Sequence, residues 1–170
     1  VWNLYGGFGD VYSVDIARAT YDPVMWRHAF TGTAMPFRGT YEVTTAGPKG
    51  ALDVPSDAVL WNATLDEWVE VGSGVNATSK VIFDYSKYIQ SKWHHGIQIS
   101  MADILYDLAS QQEIAFDPDK SALESEVSGG YASFWSSVKG IRIINETALE
   151  IYVDYYHFDP NEIAMFAEPW

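Results

Sequence analysis

Apolar positions along the chain follow two rhythms, one of period two and one of period 3.6. Between Ala58 and Val71, two pieces rich in strand formers flank turn residues from Asn62 to Asp66, which predicts a hairpin with Trp61 and Trp68 on neighbouring strands. Lys80-Val-Ile-Phe-Asp-Tyr85 is β-branched and aromatic and predicts a further strand. Ile141–Ile144 and Ala148–Tyr156, separated by a turn at Asn145-Glu146, predict a long hairpin of alternating character.

The helical rhythm is clearest at Met101, Ile104, Leu105 and Leu108, one stripe of a half-buried helix. Ser100-Met-Ala-Asp103 has the capping-box form and marks its start. A polar helix is expected from Asp117-Pro118 to Val127, ended by Gly129-Gly130, and a short amphipathic one from Val11 to Ala19, capped by Asp10. Asp159-Pro160 opens a last helix, with Asp as N-cap and Pro at the first position. Elsewhere, Thr31 to Pro36 and Ala46 to Pro55 read as irregular surface connections around short extended pieces such as Thr40–Thr44. Strands and helices mix without a βαβ rhythm, so the expected class is α+β, built of mixed β-hairpins and short helices. No internal repeat or low-complexity tract occurs.

Composition narrows this picture. The 170 residues, 48% hydrophobic, suffice for one core, so residues 1–170 are read as a single unit. Ten basic against 23 acidic side chains leave a formal charge of -13, which repels phosphate backbones, and nucleic acid is not an expected partner. With no cysteine, thiolate chemistry and disulfides are excluded. No apolar run approaches the ~20 residues that cross a bilayer. The abrupt ends, Val1-Trp-Asn-Leu and Glu168-Pro-Trp170, read as those of a piece of a longer chain, with any export signal outside it.

Candidate chemistry is sparse. Gly6-Gly7-Phe8-Gly9 lacks both nucleotide-loop spacings, so Leu4–Asp10 is read as a glycine-rich turn. The pair His94-His95, with His28, His157 or a carboxylate, has the chemistry for a metal. Adjacent residues in extended chain face opposite ways, however, and the HExxH spacing is missing, so neither metal nor cofactor is expected. The reading preferred for this segment is a turn in which Trp93 plugs the core. Carboxylate pairs such as Asp66-Glu67, Glu124 with Glu126, and Asp154 arise by chance in so acidic a chain, and no G-x-S-x-G or S-x-x-K motif accompanies them. An enzyme is not expected. N-x-[ST] sequons at Asn62, Asn76 and Asn145 lie in or beside predicted turns and are candidate glycosylation sites.

Several of these segments, taken in order, resemble a known family. Lys80-Val-Ile-Phe-Asp-Tyr85, Lys92-Trp-His-His-Gly96, Ile99-Ser-Met-Ala-Asp-Ile-Leu-Tyr106 and the hairpin Val138–Val153 are similar to the strand, Trp-His turn, helix and hairpin of extracellular solute-binding proteins of family 5, the oligopeptide- and dipeptide-binding components of ABC importers. Tyr21-Asp-Pro23, Thr31-Gly32 and Pro36 match more loosely. Two departures are His95, where Asp is commoner, and a longer segment over 47–79, expected as an extended loop or hairpin insertion.

The resemblance implies a periplasmic-binding-protein type II fold, of which this chain would be part of the first lobe. It further implies capture of an oligopeptide or oligosaccharide between two lobes, and delivery to a membrane permease. The location would be extracellular or periplasmic, membrane-anchored in the full-length protein. In that frame Trp93, His94, His95 and Gly96 form a scaffold turn that lets Ser100, with Asp103, cap the following helix. Tyr5 and Phe8 are the candidates for facing the ligand, since glycines let a ring and backbone approach it closely. A lobe lacking its covering would self-associate. The alternatives are a self-contained carbohydrate-binding or cell-surface module and, behind it, a metal-dependent hydrolase.

Overall fold

The computed structural model describes residues 2–3, 7–8, 11–19, 22–123 and 125–168. In chain order the elements are β1 (Trp2–Asn3), β2 (Gly7–Phe8), α1 (Val11–Arg18), β3 (Met25–Arg27), β4 (Ala34–Pro36), β5 (Thr40–Thr45), β6 (Leu52–Asp53), β7 (Val59–Asn62), β8 (Glu67–Glu70), β9 (Asn76–Ala77) and β10 (Ser79–Asp84). They continue with α2 (Ser86–Ile89), α3 (Met101–Phe116), α4 (Pro118–Leu123), α5 (Ser125–Trp135), β11 (Val138–Ile143), β12 (Ala148–Val153) and α6 (Pro160–Ala167).

The expected α+β class is found. Six strands form one antiparallel sheet in the order β5-β10-β12-β11-β7-β8. Its centre is β12, where Ala-Leu-Glu-Ile-Tyr-Val is buried at all six positions, so both faces are covered there. On one face Val81, Phe83, Ile141, Leu149, Ile151 and Val153 meet Ile104 and Leu108 of α3, Trp135 of α5, and Ile163, Ala164 and Ala167 of α6. Each Val, Leu, Ile or Phe side chain so buried contributes ~1.5–3 kcal/mol. The other face is covered by chain from 52 to 77, where Val54, Ala58, Ala77 and Tyr152 form a second, smaller cluster. Gly140 permits that cover: a Cβ there would lie 2.9 Å from the Ala58 Cβ and 3.1 Å from a Val54 methyl. Residues 47–79 therefore supply two strands of the main sheet and its second cover.

Local signals are reproduced where they were strong. Trp61 pairs with Trp68 across β7 and β8, the rings edge to face at 5.5 Å. Asp159 caps α6 by accepting from the Asn161 N–H at 2.9 Å. Asp10, the expected cap of α1, lies outside the described residues.

Two expectations are corrected. Thr40–Thr45 is an edge strand in full register with β10, since Val43 and Tyr41 stand on the apolar face opposite Val81 and Phe83. The polar helix does not stop at Gly129-Gly130, which lie inside α5. Packing overrides the glycines: Trp135, at the end of α5, is buried and its indole N–H donates to Gln111 of α3 at 3.2 Å.

Candidate functional site

The turn between α2 and α3 is where most of the residues singled out from sequence fall. Lys92 and Gln98 form a bridge, the Trp93 N–H donates to the Ile97 carbonyl at 2.9 Å, and the Gly96 N–H to the Trp93 carbonyl at 2.8 Å. Gly96 has a φ of 91°, in the region that favours glycine, and this reverses the chain. Gln98 clamps the base by donating to the Ser91 carbonyl at 2.6 Å and to that of Ile89. His94 and His95 sit exposed at the tip.

Trp93 does not plug the core. It is 38% exposed, and its indole N–H donates to Asp103 Oδ1 at 3.2 Å. The other carboxylate oxygen of Asp103 accepts from the Ser100 backbone N–H at 2.8 Å and its hydroxyl at 3.2 Å. Asp103 thus ties turn to helix, the half of the capping box in which the acidic side chain reaches back. The Ser100 N–H, helped by the Ser100 hydroxyl and the Trp93 indole, holds its carboxyl below the usual range. Helix α3 is seated by Ile104 and Leu108, as the stripe predicts, and by Gln112, which the sequence did not mark. Gln112 is buried where β7, paired with β11 only at Val59, leaves that strand; its Oε1 accepts from the Trp61 N–H at 3.0 Å and its amide donates to the Leu108 carbonyl.

Tyr5 lies outside the described residues, and of Phe8 the structure describes only the backbone, in β2, paired with Trp2. The three sequons fall at three different places along the chain's elements. Asn62 ends β7, Asn76 begins β9, and Asn145 tops the β11–β12 hairpin. Among the described residues no group of three or more His, Asp or Glu side chains is placed to hold a metal.

Three features escaped the sequence reading. The first is a charged cluster on the second face of the sheet. Glu150, 2% exposed, accepts from Arg142 Nε and from the Tyr152 hydroxyl, each at 2.7 Å, with Lys80 Nζ at 3.5 Å. Burial, with Glu150 alongside, pushes the Tyr152 hydroxyl well above its ordinary value. The signal was available: the hairpin register sets Arg142 opposite Glu150.

The second is Glu168, whose Oε1 accepts from the N–H groups of Val24 (2.6 Å) and Met25 (3.1 Å), tying the end of α6 to the start of β3. Burial outweighs those two donors and pushes its carboxyl up to about 7. A contact spanning 144 residues leaves no local trace in sequence. The third is an open cleft of about 370 Å³ beside the β7–β8 hairpin, lined among others by Leu60, Asn62, Val69, Glu70, Val71 and Phe116.

These arrangements hold elements together and present surface. Each of the three carboxylates, Asp103, Glu150 and Glu168, is engaged by donors of the fold itself. No protein-family model matches the chain, and no curated protein matches it.

Proposed function

We propose that this chain is a non-catalytic part of the first lobe of an extracellular solute-binding protein that captures an oligopeptide or oligosaccharide for an ABC importer. The observation that supports the reading is the assembly of the segments carrying the resemblance into one unit. Strand β10 pairs with β12 along its whole length, from Ser79↔Val153 to Asp84↔Ala148. The turn then delivers the chain to α3, whose Ile104 and Leu108 pack in the same core as Val81, Leu149 and Ile151. On this reading the turn is scaffold, and Trp93, Gly96, Ser100 and Asp103 are positioning residues.

Ligand capture in such a protein buries the solute from two sides, and closure excludes the water that weakens each polar contact. The partners are then a peptide or sugar and the importer's permease, and the working location is outside the cytoplasmic membrane. The test is native mass spectrometry of the longer protein that contains this chain, purified without denaturation. A bound peptide or oligosaccharide at one per protein, displaced by excess synthetic ligand, is the expected result. A ligand-free protein with stoichiometric zinc would replace this reading by the hydrolase.

A further inference from the structure

We infer that the tip of the β11–β12 hairpin, Asn145-Glu146-Thr147, is an acceptor site for an N-linked glycan, and that it is favoured over the sequons at Asn62 and Asn76. Asn145 is exposed, on the turn that follows the Ile143↔Leu149 pair, where its own N–H meets the Ala148 carbonyl at 3.3 Å and the Thr147 carbonyl accepts from the Tyr85 N–H at 2.7 Å. Its side-chain carbonyl is fully engaged: Oδ1 accepts from the Thr147 N–H at 2.8 Å, the Ala148 N–H at 2.9 Å and the Thr147 hydroxyl at 3.1 Å. This Asx turn fixes the amide plane and brings together the sequon's Asn and Thr side chains, while turning Nδ2 away from the donors that hold Oδ1.

The other two sequons lack one or more of these features. Asn62 makes a similar turn, accepting from the Thr64 and Leu65 N–H groups at 2.9 and 3.2 Å. It is half-buried, however, and lines the cleft together with Phe116, whereas Asn145 is exposed. Asn76 is exposed but extended, in register with Asp53; the flanking backbone is held by the Val54 N–H on the Val75 carbonyl and the Thr78 N–H on the Val153 carbonyl. Bending Asn76-Ala77-Thr78 into a transferase would break that ladder and expose Ala77, which is buried.

The donor required is an oligosaccharide carried on a polyprenyl diphosphate, with a separate oligosaccharyltransferase. Asn145 Nδ2 attacks C1 of the first sugar and forms the C–N bond, the C1–O bond to the diphosphate breaks, polyprenyl diphosphate leaves with the bonding pair, and the amide proton passes to a base of the transferase. The inference rests on the proposed extracellular location only for the encounter with that donor, so the test supplies the donor directly.

The folded chain is incubated with a purified oligosaccharyltransferase and lipid-linked oligosaccharide, then digested with trypsin. No Lys or Arg follows Arg142, so residues 143–170 form one peptide holding Asn145 alone, whereas Asn62 and Asn76 share the peptide 50–80. The expected result is a glycan mass on 143–170 before any on 50–80, abolished by Thr147→Val and kept by Thr147→Ser. Thr147→Val retains the backbone N–H that Asn145 holds, and a matching circular dichroism spectrum shows it is folded. An unmodified 143–170 peptide, or a glycan appearing first on 50–80, overturns the inference. A glycan at Asn145 in a protein that captures no solute leaves the inference standing and removes only the functional reading above.

Discussion

The two faces of the central sheet are stabilised in different ways. On one, aliphatic and aromatic side chains from three helices close over Val81, Leu149 and Ile151. On the other, a small apolar cluster around Tyr152 adjoins Glu150, Arg142 and Lys80, so that burial is shared between close packing at Gly140 and a set of charge-assisted hydrogen bonds. The first face depends on how much apolar area is covered. The second depends on fit and on pairing, and a smaller change of shape should disturb it.

The largest expected effect is on the first face. Leu149→Ala should cost about 2–5 kcal/mol, the range for a large-to-small change at a fully buried position, read as a fall in the urea midpoint. If it costs under about 1 kcal/mol, the helices do not close over this face as described. On the second face Gly140→Ala should cost about 1–3 kcal/mol although it adds a single methyl, because Ala58 and Val54 already occupy the space. An unchanged midpoint would show that the 52–77 cover is loose.

Outside the sheet, Glu168 gives a pH dependence of defined sign. Its carboxyl is raised from 4.5 to about 7, so the folded state holds a proton that the unfolded chain releases near pH 4.5. Its contribution is fully present below that value and is lost as pH rises through about 7. Glu168→Gln, which keeps an acceptor for Val24 and Met25, should therefore gain stability relative to the parent between pH 5 and pH 8. A difference that stays constant across that interval would mean the carboxylate is solvated. At the turn, Asp103→Ala should cost about 1 kcal/mol, as for a lost cap, while His95→Asp at the exposed tip should be within about 0.5 kcal/mol of neutral. The reverse order would return the two histidines to the centre of the site. Gly129→Ala is a small change in the stabilising direction: Gly129 lies exposed in α5 with open space around the added carbon, and the substitution should raise stability by about 0.5–1 kcal/mol.

What could be read from the chain beforehand follows the same division. The Trp61/Trp68 hairpin, the Asn145 hairpin, the stripe of α3 and the Asp159-Pro160 cap are local, set by residues within a few positions of each other, and all four appear in the structure. Gly129-Gly130 was misread because a local helix-stop signal is weaker than the packing of Trp135 against α3. Trp93 was misread because a large aromatic ring is most often buried, whereas here its indole N–H is used at the surface on Asp103. Gln112 and Glu168 could not be found at all, since their partners at Trp61 and at Val24 and Met25 are 51 to 144 residues away. As for the candidate site, its turn and cap residues were legible, and so was the Arg142–Glu150 pair from the hairpin register; Lys80 beside that pair and the cleft needed the sheet order.

The central proposal is that this chain is one side of a clamp, and calorimetric titration tests it most directly. The 170-residue chain and the longer protein proposed to contain it are each titrated with the same oligopeptide and oligosaccharide mixtures. Contact from one side must overcome the several kcal/mol lost on association. The account predicts saturable heat at one ligand per molecule for the longer protein and none for the chain alone. Micromolar binding by the chain alone would contradict it and identify a self-contained binding module.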